Sequence, residues 1–504
     1  MPQGPGLLLA VDQGTTNTKG LLVDAAGAPL FQTSVPVMLL QPQSGFIEQD
    51  PSALWQSVEQ VIDACARHAA NLGAPVAGIA LSNQRETALA WQPGPVPSPI
   101  GNAISWQCRR SAAVCDRLQP HHSFIRKRTG LPVDPLASAG KWTWMLENTP
   151  GLRAAAERGD VRFGNVDSWL LANLTAGTTH LTDHSNASRT GLFDLETLDW
   201  NDDLLALFQI PRRTLPALRP SASNFGRCTA IAGLEGIPIV AMIGDSHGAL
   251  FGHGSYTPGA VKATYGTGSS LMMLTRALVP ESSSLARTIA WSHADQVQFA
   301  LEGNVAMTGS AVQWVGEFLG LPRPIEDTVT LAATVPDAAG VIFVPAMVGL
   351  GAPYWDSAAR GTLTNLGRAH TAAHLARAAL DAIAFQVADV FFAMRQTADT
   401  PIPALQVDGG ATRNDTLMQF QADLLDCPVH RSSNELLSAL GAAWLGGLTL
   451  GWWTLDDLAR LPQITDRFVP HSLAAGLYAE WKLAVARTRL QTGIGLQTED
   501  GAAA

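Results

Sequence analysis

Near its start the chain reads Leu7-Leu-Leu-Ala-Val-Asp12-Gln-Gly-Thr-Thr-Asn-Thr-Lys19-Gly-Leu-Leu-Val-Asp24, two short apolar runs around a polar turn. Apolar runs of this length that flank a Gly/Thr turn predict a β-hairpin. The stretch Val261 to Leu274 repeats the pattern around Gly266-Thr-Gly-Ser-Ser270. We therefore predict two domains of the same design, each with a hairpin whose tip is rich in hydroxyl groups.

The segments around these hairpins alternate between strand and helix patterns. Asp50 and Pro51 begin a run with helical apolar spacing that reaches Ala70, and Val76 to Leu81 is then strand-like. This rhythm predicts an α/β fold. Further elements are expected at Ile237–Ile243 (strand), Val341–Pro345 (strand), His370–Arg395 (helix), Leu405–Asp408 (strand), Asn414–Leu425 (helix) and Ser438–Leu445 (helix). We place the boundary between the two predicted domains near Phe251 to Pro258. The domains are then residues 1–254 and 255–504.

Composition excludes several classes of protein. Apolar residues make up 46% and charged residues 15%, which is typical of a folded globular chain. The net charge is -10 and no basic run occurs, so we expect no nucleic-acid partner. The apolar stretch Leu437 to Trp453 is interrupted by glycines and is too short to span a bilayer, and the N-terminus lacks a signal-peptide pattern. The five cysteines form no CxxC pair. A cytoplasmic protein with reduced thiols and no membrane association is therefore expected.

The first hairpin tip has the composition of a phosphate-binding loop. Gly14 allows a tight turn, the neighbouring N–H groups and hydroxyls can donate to phosphate oxygens, and Lys19 adds a cation. Asp12 can hold Mg²⁺ directly or through water. An ordinary polar turn is the alternative, but Asp, Gly, Thr and Lys together after a strand favour a phosphate site.

Two other turns follow predicted strands. Val407-Asp-Gly-Gly-Ala-Thr-Arg-Asn414 runs from a strand into a helix, and its glycines let a planar or anionic ligand approach the helix N-terminus. Asn83-Gln-Arg-Glu86 follows the strand ending at Leu81, where α/β sheets place their ligands. Its charged pair could bind the hydroxyls of a polyol or could be a solvated surface ion pair.

A candidate general base follows the strand Ile237–Ile243. Asp245 stands directly after this apolar run and Gly244, where a carboxylate can accept the proton of a hydroxyl nucleophile. His247 is either a second base or a polar neighbour. Together with the phosphate-binding turns, this pattern favours phosphoryl transfer to a hydroxyl group.

These constellations and their order resemble the FGGY family of carbohydrate kinases, and within it the glycerol kinases most closely. The resemblance covers nearly the whole chain. The matching stretches are Asp12-Gln-Gly-Thr-Thr, Asn83-Gln-Arg-Glu-Thr, Trp106-Gln-Cys-Arg-Arg, Thr182-Asp-His-Ser-Asn-Ala-Ser-Arg-Thr, Tyr265-Gly-Thr-Gly, Gly351-Ala-Pro-Tyr-Trp, and Asp408-Gly-Gly-Ala through Leu417-Met-Gln-Phe-Gln.

The resemblance implies two actin-like (ribonuclease H-like) ATPase domains on either side of a catalytic cleft, with ATP and Mg²⁺ as cofactors. It implies that Asp245 is the base and that Asp12 and Asp245 lie at the metal. Residues implied to line the nucleotide are Thr15, Thr16, Asn17, Lys19, Thr267, Gly268, Gly309, Gln313, Gly410, Ala411 and Asn414. Residues implied to face a small polyol or sugar acceptor are Arg85, Glu86, Trp106 and Asp245.

The chain departs from the glycerol kinases at the acceptor. Leu136, Ser246 and Ser270 stand where those enzymes have Tyr, Gln and Phe. The first change removes a hydroxyl donor and the other two remove bulk, so we expect a roomier pocket that favours a four- or five-carbon polyol or ketose over glycerol.

Two further departures lie outside the acceptor pocket. Lys19 replaces the arginine that is usual in glycerol kinases; it keeps the positive charge but lacks the planar guanidinium group. The segment Gly233-Leu-Glu-Gly-Ile-Pro lacks the loop with which some glycerol kinases bind a sugar bisphosphate, so we do not expect feedback of that kind.

Three alternatives remain open at this point. Glycerol itself is the main alternative acceptor, because the overall resemblance favours it. A non-catalytic sugar or nucleotide sensor on the same scaffold would need an output domain, for which no segment is left. The third alternative is a nucleotide-driven structural or chaperone protein. The implied acceptor-binding residues Arg85, Glu86 and Trp106 argue against it, because such a protein binds no polyol. A homodimer or a homotetramer is compatible with the resemblance, and the residues do not decide between them.

Overall fold

A computed structural model describes residues 6–490 except 282–283, 399, 462–464 and 472–473, and it has two large β-sheets with helices packed on them. The strands up to residue 244 are β1 (Leu7–Gln13), β2 (Asn17–Val23), β3 (Pro29–Pro36), β4 (Glu48–Gln49), β5 (Val76–Asn83), β6 (Leu89–Gln92), β7 (Ser98–Pro99), β8 (Ala103–Ile104), β9 (Arg162–Gly164), β10 (Leu181–Asp183), β11 (Phe193–Asp194), β12 (Asp199–Trp200), β13 (Ala217–Arg219) and β14 (Ile239–Gly244). The helices of this part are α1 (Pro51–Asn71), α2 (Ala112–Leu118), α3 (His122–Thr129), α4 (Ser138–Asn148), α5 (Leu152–Arg158), α6 (Val166–Leu174), α7 (His184–Ala187), α8 (Asp202–Phe208) and α9 (Asp245–Gly252).

The rest of the described chain contains a second set of elements. Its strands are β15 (Val261–Tyr265), β16 (Ser269–Thr275), β17 (Ala286–His293), β18 (Gln296–Val305), β19 (Ile342–Val344), β20 (Thr362–Thr364), β21 (Leu405–Asp408), β22 (Val429–Ser432) and β23 (Thr465–Phe468). Its helices are α10 (Gly309–Phe318), α11 (Pro324–Ala332), α12 (Ala372–Thr397), α13 (Asp415–Leu425), α14 (Leu437–Thr449), α15 (Leu455–Ala459) and α16 (Ala475–Leu490). Short 3-10 helices cover Gln119–His121, Arg212–Thr214 and Gly410–Arg413.

The two sheets repeat one topology. The first has the order β14-β5-β1-β2-β3, and the second contains β22-β21-β15-β16-β18 within β17-β18-β16-β15-β21-β22-β23. In each, an antiparallel hairpin (β1–β2 or β15–β16) pairs through its first strand with a parallel neighbour (β5 or β21). The predicted α/β fold with two domains of one design is confirmed, while the division at residue 254 stays a prediction.

The predicted elements are present with small shifts at their ends. The helix predicted from Pro51 to Ala70 is α1, whose N-cap Asp50 accepts the Ser52 N–H at 2.8 Å. The strand predicted to end at Leu81 continues to Asn83 because it pairs with β1 as far as Gln13. Local patterns therefore locate the elements, and pairing with a distant strand decides where they end.

Helices α9 and α14 occupy equivalent places in the two domains and cross at close range. Gly248 and Gly441 make this approach possible, because a Cβ on Gly441 would lie 1.9 Å from the carbonyl oxygen of Gly248. Side chains of both helices join residues of both sheets in one buried apolar cluster, including Leu250, Phe251, Leu440 and Trp444. This cluster connects the domains and holds the N-terminus of α9 at the bottom of the cleft.

Most of the chain between β5 and β14 forms a smaller unit with an apolar core of its own, which includes Trp142, Phe163, Phe193 and Trp200. It packs beside the first sheet and supplies residues 131–137 to the cleft. All five cysteines are buried free thiols. Across the described residues, no helix combines the length and apolar character that a bilayer span requires.

Candidate active site

A cavity of about 240 Å³ lies between the tip of the β1–β2 hairpin and the N-terminus of α9. Its polar lining residues are Asp12, Thr15, Thr16, Asn17, Lys19, Asp245, Ser246, Thr264 and Ser438. The first hairpin tip, Asp245 and the second hairpin therefore meet around one space, although they are far apart in the sequence.

A larger cavity of about 890 Å³ lies on the other side of the second hairpin, between α10, α11, α12 and α13. Most of its lining surface is apolar, and Ile325, Val329 and Leu380 are among the lining residues. The predicted nucleotide residues that line it are Thr267, Gly309, Gln313, Gly410, Ala411 and Asn414. An apolar cavity with glycine-rich edges, next to a small polar cavity, fits a planar group attached to a polyanion.

Gly268 has a different place from the other predicted nucleotide residues. It lies at the hairpin tip but is absent from the lining of both cavities, and a Cβ there would lie 2.6 Å from the carbonyl oxygen of Val305. The residue must be glycine so that the hairpin can pack against the end of β18. Its neighbour Thr267 faces the cavity instead.

Thr264 of the second hairpin is fixed by a buried polar chain. Its hydroxyl donates to Asp408 Oδ2 at 3.1 Å and accepts from Lys262 Nζ at 3.0 Å. The same carboxylate oxygen binds His253 Nε2 at 2.9 Å, and His253 is the residue that follows α9. The C-terminal end of α9 is thus connected to the strand that leads into the Gly409-Gly410 turn.

Asp245, Arg85 and Glu302 form a row of charges across the cleft. Arg85 donates through Nε to Asp245 Oδ1 at 3.1 Å and through Nη1 to Glu302 Oε1 at 2.7 Å. Arg85 and Glu302 are buried, whereas 35% of the Asp245 side chain is exposed toward the cavity. Arg85 therefore orients the Asp245 carboxylate from the protein interior, and the exposed part of this carboxylate faces the cavity.

Glu86 belongs to the same network through Arg189. Arg189 donates through Nε to Glu86 Oε1 at 2.7 Å, and its Nη1 lies 2.9 Å from Glu302 Oε2. Both Arg85 and Glu86 are buried, so the alternative of a solvated surface ion pair is wrong. Although burial alone would raise it, Arg189 and Arg85 hold the pKa of Glu302 well below its usual value.

Arg189 and Glu302 were not among the candidate site residues from the sequence. Arg189 lies within the stretch Thr182 to Thr190 that carries the family resemblance, so a signal for it existed. Glu302 stands in the buried section of β18, after Ala300 and Leu301, where a carboxylate is costly without a charged partner. A single acidic residue among apolar neighbours indicates that a charged partner exists. It does not identify Arg85 and Arg189, which lie in the other domain.

Burial raises the pKa of Asp245 to about 6; Arg85 opposes this effect and Asp12 adds to it. Burial also raises the pKa of Asp12, while Lys19 and a hydrogen bond from Ser82 lower it. Two carboxylates with raised pKa values on one cavity would both be stabilised by a divalent cation between them. The residues present therefore fit Mg²⁺.

The residues expected at the acceptor surround this charged network. Leu136 lines a cavity of about 20 Å³ together with Glu86, Arg189, Asn304 and Trp355. Ser246 Oγ accepts from Arg85 Nη2 at 3.3 Å, and Ser270 Oγ donates to Glu302 Oε1 at 3.3 Å. The Trp106 indole donates to Thr15 Oγ1 at 2.9 Å and so connects the acceptor side with the first hairpin.

His247 is a polar neighbour rather than a second base. Its ring is fully buried and Nε2 lies 3.2 Å from Thr288 Oγ1. Burial, followed by the charge of Arg85, holds the pKa of His247 well below its ordinary value. A neutral ring shielded from the cavity has no route to a hydroxyl of the acceptor.

Comparisons with known proteins agree with this geometry. Residues 7–252 match the N-terminal domain of the FGGY family of carbohydrate kinases, and residues 261–450 match its C-terminal domain. The chain is 46% identical over 497 residues to an apulose kinase of Pectobacterium atrosepticum, covering 96% of this chain and 99% of that protein. It is 43% identical over 489 residues to glycerol kinase 2 of Thermotoga maritima, covering 95% and 98%.

Solved structures resemble the whole chain. The glycerol kinase of Plasmodium falciparum with ADP has a TM-score of 0.88 at 29% identity, covering 96% of this chain and 98% of that one. A ligand-bound xylulose kinase of Lactobacillus acidophilus has a TM-score of 0.83 at 22% identity, covering 97% and 99%, which supports the fold. The two actin-like domains, the cleft and the matched family models together establish that the chain belongs to the FGGY family of carbohydrate kinases and is an ATP-dependent kinase of a sugar or polyol.

Proposed function

We propose that the acceptor is a four- or five-carbon polyol or ketose rather than glycerol. The observation that carries the proposal is the pair of serine hydroxyls on the buried Arg85–Glu302 pair, at Ser246 and Ser270. A larger side chain at either place would fill the space beside this buried pair, whereas serine leaves that space and its own hydroxyl for further groups of a longer acceptor. Ser246 also borders the 240 Å³ cavity, so the additional room lies beside Asp245.

The names of the relatives agree with either acceptor. The apulose kinase is named for a five-carbon ketose, and it is 46% identical to this chain. Several relatives named glycerol kinase are 43 to 44% identical. Overall sequence identity therefore does not decide between glycerol and a longer acceptor. The residues Leu136, Ser246 and Ser270 support the longer acceptor.

For the reaction itself, we propose that Asp245 is the general base. A hydroxyl of the acceptor gives its proton to Asp245 as its oxygen attacks the γ-phosphorus of ATP, and the bond to the bridging oxygen breaks to release ADP. Without a bound metal, burial raises the pKa of Asp245 to about 6, so the carboxylate is ionised at neutral pH and is more basic than an exposed aspartate. Arg85 keeps the carboxylate pointed at the acceptor.

The first hairpin would bind the transferring phosphate. Lys19, Thr16 and the backbone N–H groups of the tip line the small polar cavity and can donate to its oxygens. Asp12 and Asp245 would hold Mg²⁺, which neutralises charge on the phosphates when it is bound. The base and ribose would lie in the larger cavity between Gln313, Ala411 and Asn414.

A coupled assay of ADP release tests the acceptor directly. Glycerol, tetritols, pentitols and ketopentoses, apulose included, are compared by kcat/KM at saturating MgATP. We expect a four- or five-carbon compound to exceed glycerol by about 10- to 200-fold, the range that one added group in a fitted pocket provides. A preference for glycerol over every longer acceptor would show that the proposal is wrong.

A reverse substitution tests the three residues. The triple variant Leu136→Tyr, Ser246→Gln and Ser270→Phe should shift the preference toward glycerol, because it restores a hydroxyl donor and fills space beside Asp245. The KM for ATP provides the internal control and should stay within about twofold of the unmodified enzyme. An unchanged ratio of the two acceptors would remove these residues from the account of specificity.

A further inference from the structure

The buried lysine Lys141 has no role in the site described so far. It lies on α4, its side chain is fully buried, and Nζ donates to the backbone carbonyl of Leu136 and to that of Ala137, the latter at 3.4 Å. Within the described part of the chain, no carboxylate forms an ion pair with it. The ammonium group therefore has two carbonyl oxygens of one loop as its partners.

Such a group is costly to keep. Burial lowers the pKa of Lys141 to about 8, although the charges of Glu86 and Asp134 act in the opposite direction. A buried ammonium without an anionic partner usually destabilises a fold compared with an apolar residue of similar size. Packing alone therefore does not explain a lysine at this position. Its hydrogen bonds to the carbonyls of Leu136 and Ala137 offer another explanation.

The loop bound by Lys141 lines the cavity of about 20 Å³ beside the charged network, which is called the acceptor cavity below; at that size it forms one edge of the acceptor site and takes a single group of the acceptor. Asp134, Leu136 and Ala137 line this cavity together with Glu86 and Arg189. Asp134 Oδ1 accepts the Leu136 N–H at 2.8 Å, but it lies on the more exposed side of the loop. On the interior side of the loop, the hydrogen bonds from Lys141 hold the carbonyl groups of Leu136 and Ala137.

The start of α4 also contacts Glu86. Ser138 Oγ donates to the carbonyl oxygen of Glu86 at 3.2 Å and accepts from Asn165 Nδ2 at 2.7 Å. One end of a single helix thus holds the backbone of Glu86 through Ser138 and the backbone of Leu136 through Lys141. Through these bonds α4 connects two parts of the lining of the acceptor cavity.

We propose that Lys141 is a positioning residue for acceptor specificity: by binding the carbonyls of Leu136 and Ala137, it fixes the loop that lines the acceptor cavity together with the Glu86–Arg189 pair. The proposal rests on the assignment of this cavity to the acceptor. Without the ammonium group the loop would move away, and acceptors of different length would be distinguished less well.

The test compares Lys141→Met with a matched control on the same helix. Thr143→Val removes a buried hydroxyl that donates to the carbonyls of Ala139 and Phe208 at 3.0 and 2.8 Å, neither of which belongs to the loop. For each protein, the ratio of kcat/KM for a ketopentose to kcat/KM for glycerol is measured on one preparation. The concentration of active enzyme cancels from this ratio, so partial unfolding does not change it.

For Lys141→Met we expect the ratio to move toward one by roughly 10-fold, through a higher KM for the preferred acceptor, with the KM for ATP nearly unchanged. Thr143→Val should lower the melting temperature and leave the ratio within about twofold. A Lys141→Met ratio equal to that of the unmodified enzyme would overturn the proposal and leave a structural role. If the unmodified enzyme prefers glycerol, the proposed acceptor is wrong, yet a shift of the ratio would still support the role of Lys141.

Lys141→Gln serves if the methionine variant does not fold. Glutamine removes the buried charge, and its amide nitrogen ends one bond short of the position of Lys141 Nζ, so it cannot hold both carbonyls; the protein should fold and the ratio should shift in the same direction by a smaller factor. An unchanged ratio in a folded Lys141→Gln variant would equally overturn the proposal.

Discussion

Arg85 binds Glu302 across the two domains, with Nη1 of the arginine 2.7 Å from Oε1 of the glutamate and both side chains buried. Arg85 follows β5 of the first sheet and Glu302 lies on β18 of the second. The same guanidinium donates through Nε to Asp245. The orientation of the proposed base therefore depends on a carboxylate of the opposite domain.

Glu302→Gln should destabilise the protein and weaken acceptor binding. The substitution leaves the guanidinium groups of Arg85 and Arg189 buried without their shared anion, which typically costs about 3 kcal/mol or more in the free energy of unfolding. We expect a lower midpoint in chemical denaturation together with a higher KM for the acceptor, because each arginine loses one of the two carboxylates that orient it.

Glu48→Gln is the matched control for this change. It removes the anion of another shielded pair, in which Arg110 Nη2 lies 2.5 Å from Glu48 Oε1. This variant should lose stability without a change in the KM for the acceptor. If both variants raise that KM equally, general loosening explains the effect of Glu302→Gln.

Asp245→Asn should abolish most of the turnover. The amide cannot accept the proton of the attacking hydroxyl, so we expect kcat to fall by roughly 10²-fold or more with little change in affinity for the nucleotide. Rapid-quench measurement of the chemical step and calorimetric titration with ADP separate the two quantities. Turnover near that of the unmodified enzyme would exclude Asp245 as the base.

How much of this site the sequence predicts depends on the range of the contacts. Asp12, Lys19 and the Gly409-Gly410 turn are recognised because strand, glycine and hydroxyl-rich tip are neighbours in the chain. Glu302 is missed because its partner Arg85 lies 217 residues away, in the other domain. Lys141 is missed for another reason: its partners are backbone carbonyls of a nearby loop, which no residue type in the sequence marks. A charged residue in an apolar segment indicates an unknown partner, but periodicity does not identify it.

Lys19→Ala and Thr16→Val should reduce activity more than stability. Thr16 lies on the tip of the β1–β2 hairpin and Lys19 on β2 beside it; both line the polar cavity, and neither is part of an apolar core. Loss of a cationic or hydroxyl donor to the transferring phosphate should lower kcat by about 10- to 10³-fold. Thermal unfolding measured in parallel should change by only a few degrees; a loss of stability large enough to account for the lost activity would contradict this assignment.

Asp167 on α6 should make the stability of the protein depend on pH. Its side chain is fully buried, Oδ2 accepts from Thr182 Oγ1 at 2.5 Å, and Oδ1 has no hydrogen-bond donor among the described residues. Burial raises the pKa of Asp167 to about 7, with Thr182 opposing and Asp183 adding to the effect. The folded protein therefore keeps a proton on this carboxyl that the unfolded chain releases near pH 4.

The sign follows from this difference in proton binding. Below pH 4 the carboxyl is protonated in both states and costs nothing; as the pH rises toward 7 only the unfolded chain ionises, so the folded state loses about 1.4 kcal/mol per pH unit. Above pH 7 both states are ionised and the loss stays constant. Asp167→Asn does not titrate, so its free energy of unfolding relative to the unmodified protein should increase from pH 4 to pH 7 and then level off. Urea unfolding at half-unit steps of pH measures this difference, and a difference that is constant over the range would mean that Asp167 is ionised in the folded protein.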